Sequence, residues 1–327
     1  MTAVKLLCAD IWVSPYGDDR NNGLSREHPM QTLHAALRQA REMRRMNDPS
    51  VKTGINIRLE KGIYCQSEPL LIRPEDSGTP SSPTLIKGVD GDHVVISGGV
   101  KLSDWKRAGS IEGLSTDVQN KIWMVDVPLV NGNVIEFRQL WINGRKAVRA
   151  RNIADFSQMD RIISDDIQNE MLWVPTNSVA RIANSPHAEL VLHQMWEIAV
   201  LRIQSIVING DSAGIKFHLP ESRIQFEHPW PRPMIGKGVN SPFYITNAIE
   251  LLDRPGEWYF DKTASRLYYY PLSGEKMDSV SAVMPFMETL VEVKGTADRP
   301  VAHIRFENIH FNYTTWMRPS KKGHVPF

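Results

Sequence analysis

VAHIRFENIHF, Val301–Phe311, decides how the chain is to be read. Ile304, Phe306, Ile309 and Phe311 are apolar, and Arg305, Glu307 and His310 between them are polar. A period of two marks a strand with one buried side. Asn308 breaks the alternation once, and Asn suits a sharp bend between two short strands because its side chain tolerates left-handed backbone. Upstream, Leu290-Val291-Glu292-Val293, then Gly295 and the turn-like residues 296–300, predict another short strand feeding the same unit. Together these residues read as one rung of a β-solenoid. A solenoid repeat of about twenty residues or more cannot bury its apolar face alone, so about three must stack. Sixteen residues follow Phe311, and the solenoid is expected to be incomplete within this sequence.

Working outward, residues 55–98 have the same texture. INIRLEKGIY, PLLIRPEDSGTPSSP, TLIKGVDGD and HVVISGG alternate short apolar runs with Gly, Pro and Asp. Ahead of them, IWVSPYGDDRNNG gives a strand and a tight loop. Leu33, Ala36, Leu37, Ala40 and Met43 then follow helical spacing behind Thr32, a suitable N-cap. Residues 18–23 resemble a calcium loop only superficially. Arg20 and Pro29 stand at the third and twelfth positions, where carboxylates belong, so no metal is expected.

Residues 100–280 differ. Trp123, Phe137, Trp141, Trp173, Trp196, Trp230 and Trp258 are scattered among short strands and longer loops, as in an inserted all-β domain. Asn143-Gly144 predicts a two-residue hairpin, and residues 261–265 turn a second one. Trp123, Trp141, Trp173 and Trp258 fall within strand patterns and are expected in the core. The predicted division is residues 1–99 as cap and first rungs, 100–280 as insert, and 281–327 as resumption of the solenoid.

Composition narrows the partners. The chain has 327 residues, with 38 Lys plus Arg against 37 Asp plus Glu. So even a balance leaves no footprint for nucleic acid or an anionic membrane and favours a neutral ligand. No apolar run approaches the roughly 18 residues of a membrane span. Cys8 and Cys65 make neither a disulfide framework nor a zinc site, and their pairing with one another stays open. The opening MTAVKLLCA is shorter in apolar residues than a signal-peptide core of about 7–15, and Leu7 precedes Cys8 where a lipoprotein needs a small residue. The reading expects a removed export signal and a periplasmic or extracellular location.

WVSPYGDDRNNG followed by HPMQTLHAAL resembles the opening signature of right-handed parallel β-helix proteins that act on polysaccharides. GIY, PLLI, EDSGTPSSPTLIKGVDGDHVVISGG, FRQLWINGRKAVRARN, NAIELLDRPGEWYFDKTASRLYYYP and IRFENIHF, in that order, resemble glycoside hydrolase family 141. The resemblance covers nearly the whole chain. It implies an all-β fold: a right-handed parallel β-helix carrying an inserted β-sandwich-like domain and one N-terminal capping helix. It also implies hydrolysis of α-L-fucosyl or xylosyl linkages in a plant-type oligo- or polysaccharide, without a cofactor. Members of that family are expected to be about twice this length, because a β-helix enzyme needs several consecutive rungs. Their catalytic carboxylates are expected on later rungs, beyond Phe327, so no catalytic pair is carried onto this sequence. The remainder of the helix is expected to pack on the C-terminal rung.

Candidate substrate contacts follow from sugar chemistry, since C–H faces pack on aromatic rings while polar groups fix hydroxyls. Trp316, Arg318 and His324 form the best local cluster, with Trp316 as a buried loop anchor the plainer alternative. Trp230 and Arg232 lie in the proline-stiffened loop HPWPRP. Glu307 and His310 project from the polar side of the rung, where they orient substrate or are simply solvated. Arg145, Lys146, Arg149 and Arg151 alternate with apolar residues and read as a solvated strand face. A polysaccharide lyase is the enzyme alternative, and a non-catalytic carbohydrate-binding or structural module is the other. Gly-x-Ser-x-Gly, phosphate-loop and His-Glu-x-x-His motifs are absent from the sequence.

Overall fold

Alternation in sequence becomes ladders in space. In the computed structural model, Ile11 pairs with Ile57, Ile57 with Ile86, and Ile86 with Phe306. The three isoleucines have no exposed surface, and each such burial stabilises by on the order of 1.5–3 kcal/mol. The structure describes residues 8–91, 93–130, 132–227, 232–236 and 238–326. The chain divides into two compact units, residues 1–100 with 285–314, and residues 101–284 with 315–327. The predicted resumption over 281–327 is thus shared between them: only its middle part lies in the first unit.

The first unit holds three stacks of parallel strands. Ala9–Val13, Ile55–Leu59, Thr84–Gly88 and Ile304–Glu307 form one. Gly62–Cys65, Val94–Ser97 and His310–Asn312 form the second. Leu70–Ile72 and Val291–Val293 form the third. Each passage of the chain visits the stacks in the same order, and the quoted rung joins the first two. Asn308 turns between its strands with φ of 55°, and Gly88 lies under that bend. A Cβ on Gly88 would meet the Asn308 carbonyl oxygen at 2.3 Å, which fixes glycine there. Phe306 is half-buried and Phe311 is exposed, with their rings edge-on at 5.7 Å.

The helix Leu33–Arg45 buries Leu33, Ala36, Leu37, Ala40 and Met43 as predicted. Thr32 accepts from the Ala35 N–H at 3.1 Å. Asp19, in the calcium-like loop, is committed to this helix start: its carboxylate accepts from the Gln31 and Thr32 N–H groups and the Thr32 hydroxyl, each at 2.8 Å. Arg41 grips buried Asp76, and Arg44 donates to Ser82 and Thr84. Cys8 and Cys65 are free thiols.

The second unit contains a seven-stranded antiparallel sheet, ordered Asp160–Arg161, Pro242–Thr246, Glu189–His193, Ile198–Asn209, Ser212–Phe217, Met171–Pro175 and Ser164–Asp166. A five-stranded sheet contributes Tyr259 and Tyr268 to the same apolar core as Leu190, Leu192, Leu201, Phe243 and Ile245. Trp141–Ile142 and Arg145–Lys146 pair around Asn143 and Gly144, whose φ angles of 51° and 76° make the predicted hairpin turn. Glu257–Asp261 and Arg266–Tyr269 form the second hairpin. Trp258 is fully buried, but Trp123, Trp141 and Trp173 are half-buried, a correction to their placement in the core. Arg107 covers the Trp123 ring at 4.7 Å.

Candidate functional site

Successive side chains on a strand face opposite ways. In ELVLH, Leu190 and Leu192 enter the core, which turns Glu189, Val191 and His193 to the other side of the sheet. Register extends that second face to Arg202, Val200 and Ile198 on one neighbour and to Thr246 and Tyr244 on the other. One face is therefore hydrocarbon and the other carries charge, hydroxyl and aromatic groups.

Glu189 is the centre of the polar face. It is buried, and Arg138 donates to both its oxygens at 2.8 Å while Arg149 donates at 3.0 Å. Burial alone would raise this carboxyl, but the Arg149 and Arg138 guanidiniums outweigh it and hold Glu189 below its usual range. Burial pushes Arg149 down to about 10, leaving it charged at neutral pH. Its guanidinium lies 5.8 Å from the Trp258 ring, which itself stacks on Phe137. The expectation of a solvated basic face is thus corrected at Arg149, which is covered and paired. Arg145 stays outside and pairs with Glu275.

Hydrogen bonds between side chains and backbone hold the basic segment over the sheet. The Ile245 N–H donates to the Asn152 carboxamide at 2.9 Å, and the Thr246 hydroxyl donates to the Ala150 carbonyl at 2.8 Å. Arg254 donates to the Arg151 and Asn152 carbonyls. Glu257 fixes the Asp253–Arg254 turn by accepting from both backbone N–H groups, and its burial pushes its carboxyl up to about 7. The outcome is a groove of about 390 Å³ between the basic segment and the sheet, with Arg138, Lys146, Arg149 and Arg151 facing Tyr244 and Ile198. Arg151 lies 4.5 Å from the Phe156 ring, and Phe156 contacts Tyr244 at 5.5 Å.

The C-terminal segment reaches the same face. His324 exchanges backbone bonds with Val200 at 2.7 and 2.8 Å, Arg138 donates to the Ser320 hydroxyl, and Val325 enters the core. Trp316 and His324 meet edge-on at 4.7 Å. Trp316 is 44% exposed, so it is not a buried anchor. Arg318 is exposed and acts on His324, whose pKa is lowered by burial and then by Arg318, against Glu197. These three predicted residues are brought together. Glu307 and His310 belong to the first unit and are exposed, with His310 against His93 at 4.7 Å. Arg232 is exposed, and Trp230 lies outside the described residues.

Sequence reasoning missed Glu189, Arg138, Tyr244 and His193. The alternation in ELVLH signals a two-faced strand, but period alone does not say whether the polar face is covered. Every buried carboxylate of the described residues is held: Asp76 by Arg41, Glu189 by Arg138 and Arg149, Glu221 by Arg202, and Glu257 by backbone N–H groups. Among the described residues no helix is long and apolar enough to cross a membrane, and no His, Cys, Asp and Glu cluster is arranged to hold a metal.

Residues 120–272 match the family model of the GH141 insertion domain. No curated protein matches the chain. A solved structure described as a glycoside hydrolase is similar over 98% of this chain at 54% identity, with a TM-score of 0.92. The alignment takes in 53% of that structure, so the chain spans about half its length. The complex of XylC with xylose aligns over 93% of this chain and 35% of its own at 13% identity, and its TM-score of 0.37 is too low to bear on fold or function. The chain is thus similar to a glycoside hydrolase along nearly all its length, and its residues 120–272 are similar to the GH141 insertion domain.

Proposed function

We propose that the chain forms part of a glycoside hydrolase of the GH141 kind, acting on α-L-fucosyl or xylosyl linkages of an exported-enzyme substrate, a plant-type polysaccharide. The observation that carries this reading is the 54% identity over 98% of the chain to a glycoside hydrolase. In the same reading, the three parallel stacks are the opening coils of a right-handed β-helix, interrupted between Val94–Ser97 and Val291–Val293 by the insert. The enzyme works in the periplasm or outside the cell, where such polysaccharides are met.

Glycoside hydrolysis needs two carboxyl groups, about 5–5.5 Å apart for retention or about 6.5–9.5 Å for inversion, with one protonated at working pH. Glu257 has the raised pKa of such an acid, but it is buried and bonded to its own turn. The catalytic pair is therefore assigned to the part of the relative's length that residues 1–327 do not span. Trp316, Arg318 and His324 are proposed as substrate contacts, along with Trp230, Arg232, Glu307 and His310.

The test is hydrolysis of aryl α-L-fucoside and aryl β-D-xyloside by the protein of the whole reading frame that encodes these residues. Release of the aryl alcohol is expected, kept in Glu257→Gln and lost when a carboxylate outside residues 1–327 is replaced. An unsaturated product absorbing in the ultraviolet would select a lyase instead. Turnover that depends on Glu257 would overturn the placement of the pair.

A further inference from the structure

We infer that the groove between the 146–151 segment and the seven-stranded sheet binds an anionic saccharide through a sugar carboxylate. Resting on the saccharide reading above, this inference adds a charge requirement that the nearly neutral whole chain does not suggest. Four cations line the groove, Arg138, Lys146, Arg149 and Arg151, and among the described residues the one carboxylate bonded to them is Glu189. Glu189 is shared by Arg138 and Arg149, so those two together keep an excess positive charge. No carboxylate among the described residues pairs with Lys146 or Arg151. The charge is concentrated where the wall is hydrocarbon, with Val191, Ile198 and Val200 opposite, and there it is screened less than on an open surface.

The shape selects a sugar over a bare anion. Tyr244 is half-buried in the groove, with Phe156 beside it and Arg151 stacked on Phe156. A pyranose ring offers a C–H face to such rings while its carboxylate meets a guanidinium, a charge-assisted bond. The Arg149 Nε is buried and meets no acceptor among the described residues, although its Nη1 is committed to Glu189. Arg149 is thus a guanidinium held in place by Glu189, and it offers the groove its charge, not its buried Nε. A uronate-bearing chain satisfies this set, and a neutral xylo-oligosaccharide leaves its cations uncompensated.

Isothermal titration of the 327-residue protein with tetragalacturonate, its methyl ester, glucuronate-substituted xylotetraose and unsubstituted xylotetraose tests this directly. Expected is binding of at least one acidic probe, weakening as salt rises, and at least about tenfold weaker binding of the corresponding neutral probe. Arg151→Gln and Lys146→Gln should each reduce the acidic binding, by about tenfold for Arg151→Gln, and Lys216→Gln, an exposed lysine of the Ser212–Phe217 strand that does not line the groove, should not. Lys146 is exposed, so its variant reports on charge even if Arg151→Gln disturbs the 151–156 turn. Equal affinity for acidic and neutral probes, no acidic binding, indifference to both groove variants, or equally tight binding of inorganic phosphate would each overturn the inference. None of these readouts involves turnover. Failure of the aryl-glycoside assay would remove the hydrolase reading and leave the groove result standing, and the reverse also holds.

Discussion

The two units solve the burial of a β-face in opposite ways. In the first, Ile11, Ile57 and Ile86 stack like on like, each residue repeating its neighbour one passage away. In the second, the Glu189–His193 strand sends leucines into the core while its other side carries a buried carboxylate gripped by two arginines. A ladder of equal side chains loses stability in proportion to the atoms removed. A buried ion cluster is far less forgiving, because removing one member leaves the others charged and unpaired.

The largest expected effect breaks that second arrangement. Glu189→Ala should cost about 3–5 kcal/mol in denaturant unfolding, since Arg138 and Arg149 would face each other without an anion. Replacing all three, as Arg138→Met, Arg149→Met and Glu189→Leu together, should restore most of that loss. If the triple variant were as unstable as Glu189→Ala, unpaired charge would not be the cause.

Next comes the ladder. Ile57→Ala, between two buried isoleucines, should cost about 3 kcal/mol, and Phe306→Ala, half-buried at the ladder's last strand, about half of that. Equal losses at both positions would contradict the graded burial. The pH dependence gives an effect of about the same size. The Glu257 carboxyl rises from 4.5 to about 7 on folding, so the folded chain keeps a proton that the unfolded chain releases first. Stability present below pH 4.5 is therefore lost as pH rises to about 7, by on the order of 3 kcal/mol. Glu257→Gln should flatten that slope. The smallest change is Gly144→Ala, which has open space but a φ of 76°, and should lower the unfolding free energy by about 1 kcal/mol.

Legibility followed the same divide. The first unit's strands, its helix start at Thr32 and the bend at Asn308 were readable because each depends on local period or a single turn residue. The hairpin at Asn143-Gly144 was readable for the same reason. The site was not. Arg149 and Glu189 are 40 residues apart in sequence, and alternation treats a charge on a covered face and one on a solvated face alike. Trp316, Arg318 and His324 were found because they are near in sequence, and the fold confirms only that they are near in space. The return of residues 315–327 to the second unit had no local signal, since it rests on the backbone exchange between His324 and Val200.

The claim that the polar face of the seven-stranded sheet is a saccharide-binding surface is open to one direct measurement. Amide hydrogen exchange should be followed by mass spectrometry, with and without glucuronate-substituted xylotetraose. Slower exchange is predicted in peptides covering 146–156, 189–202 and 242–246, with residues 9–97 unchanged. Protection confined to the parallel stacks, or none anywhere at saturating saccharide, would contradict it.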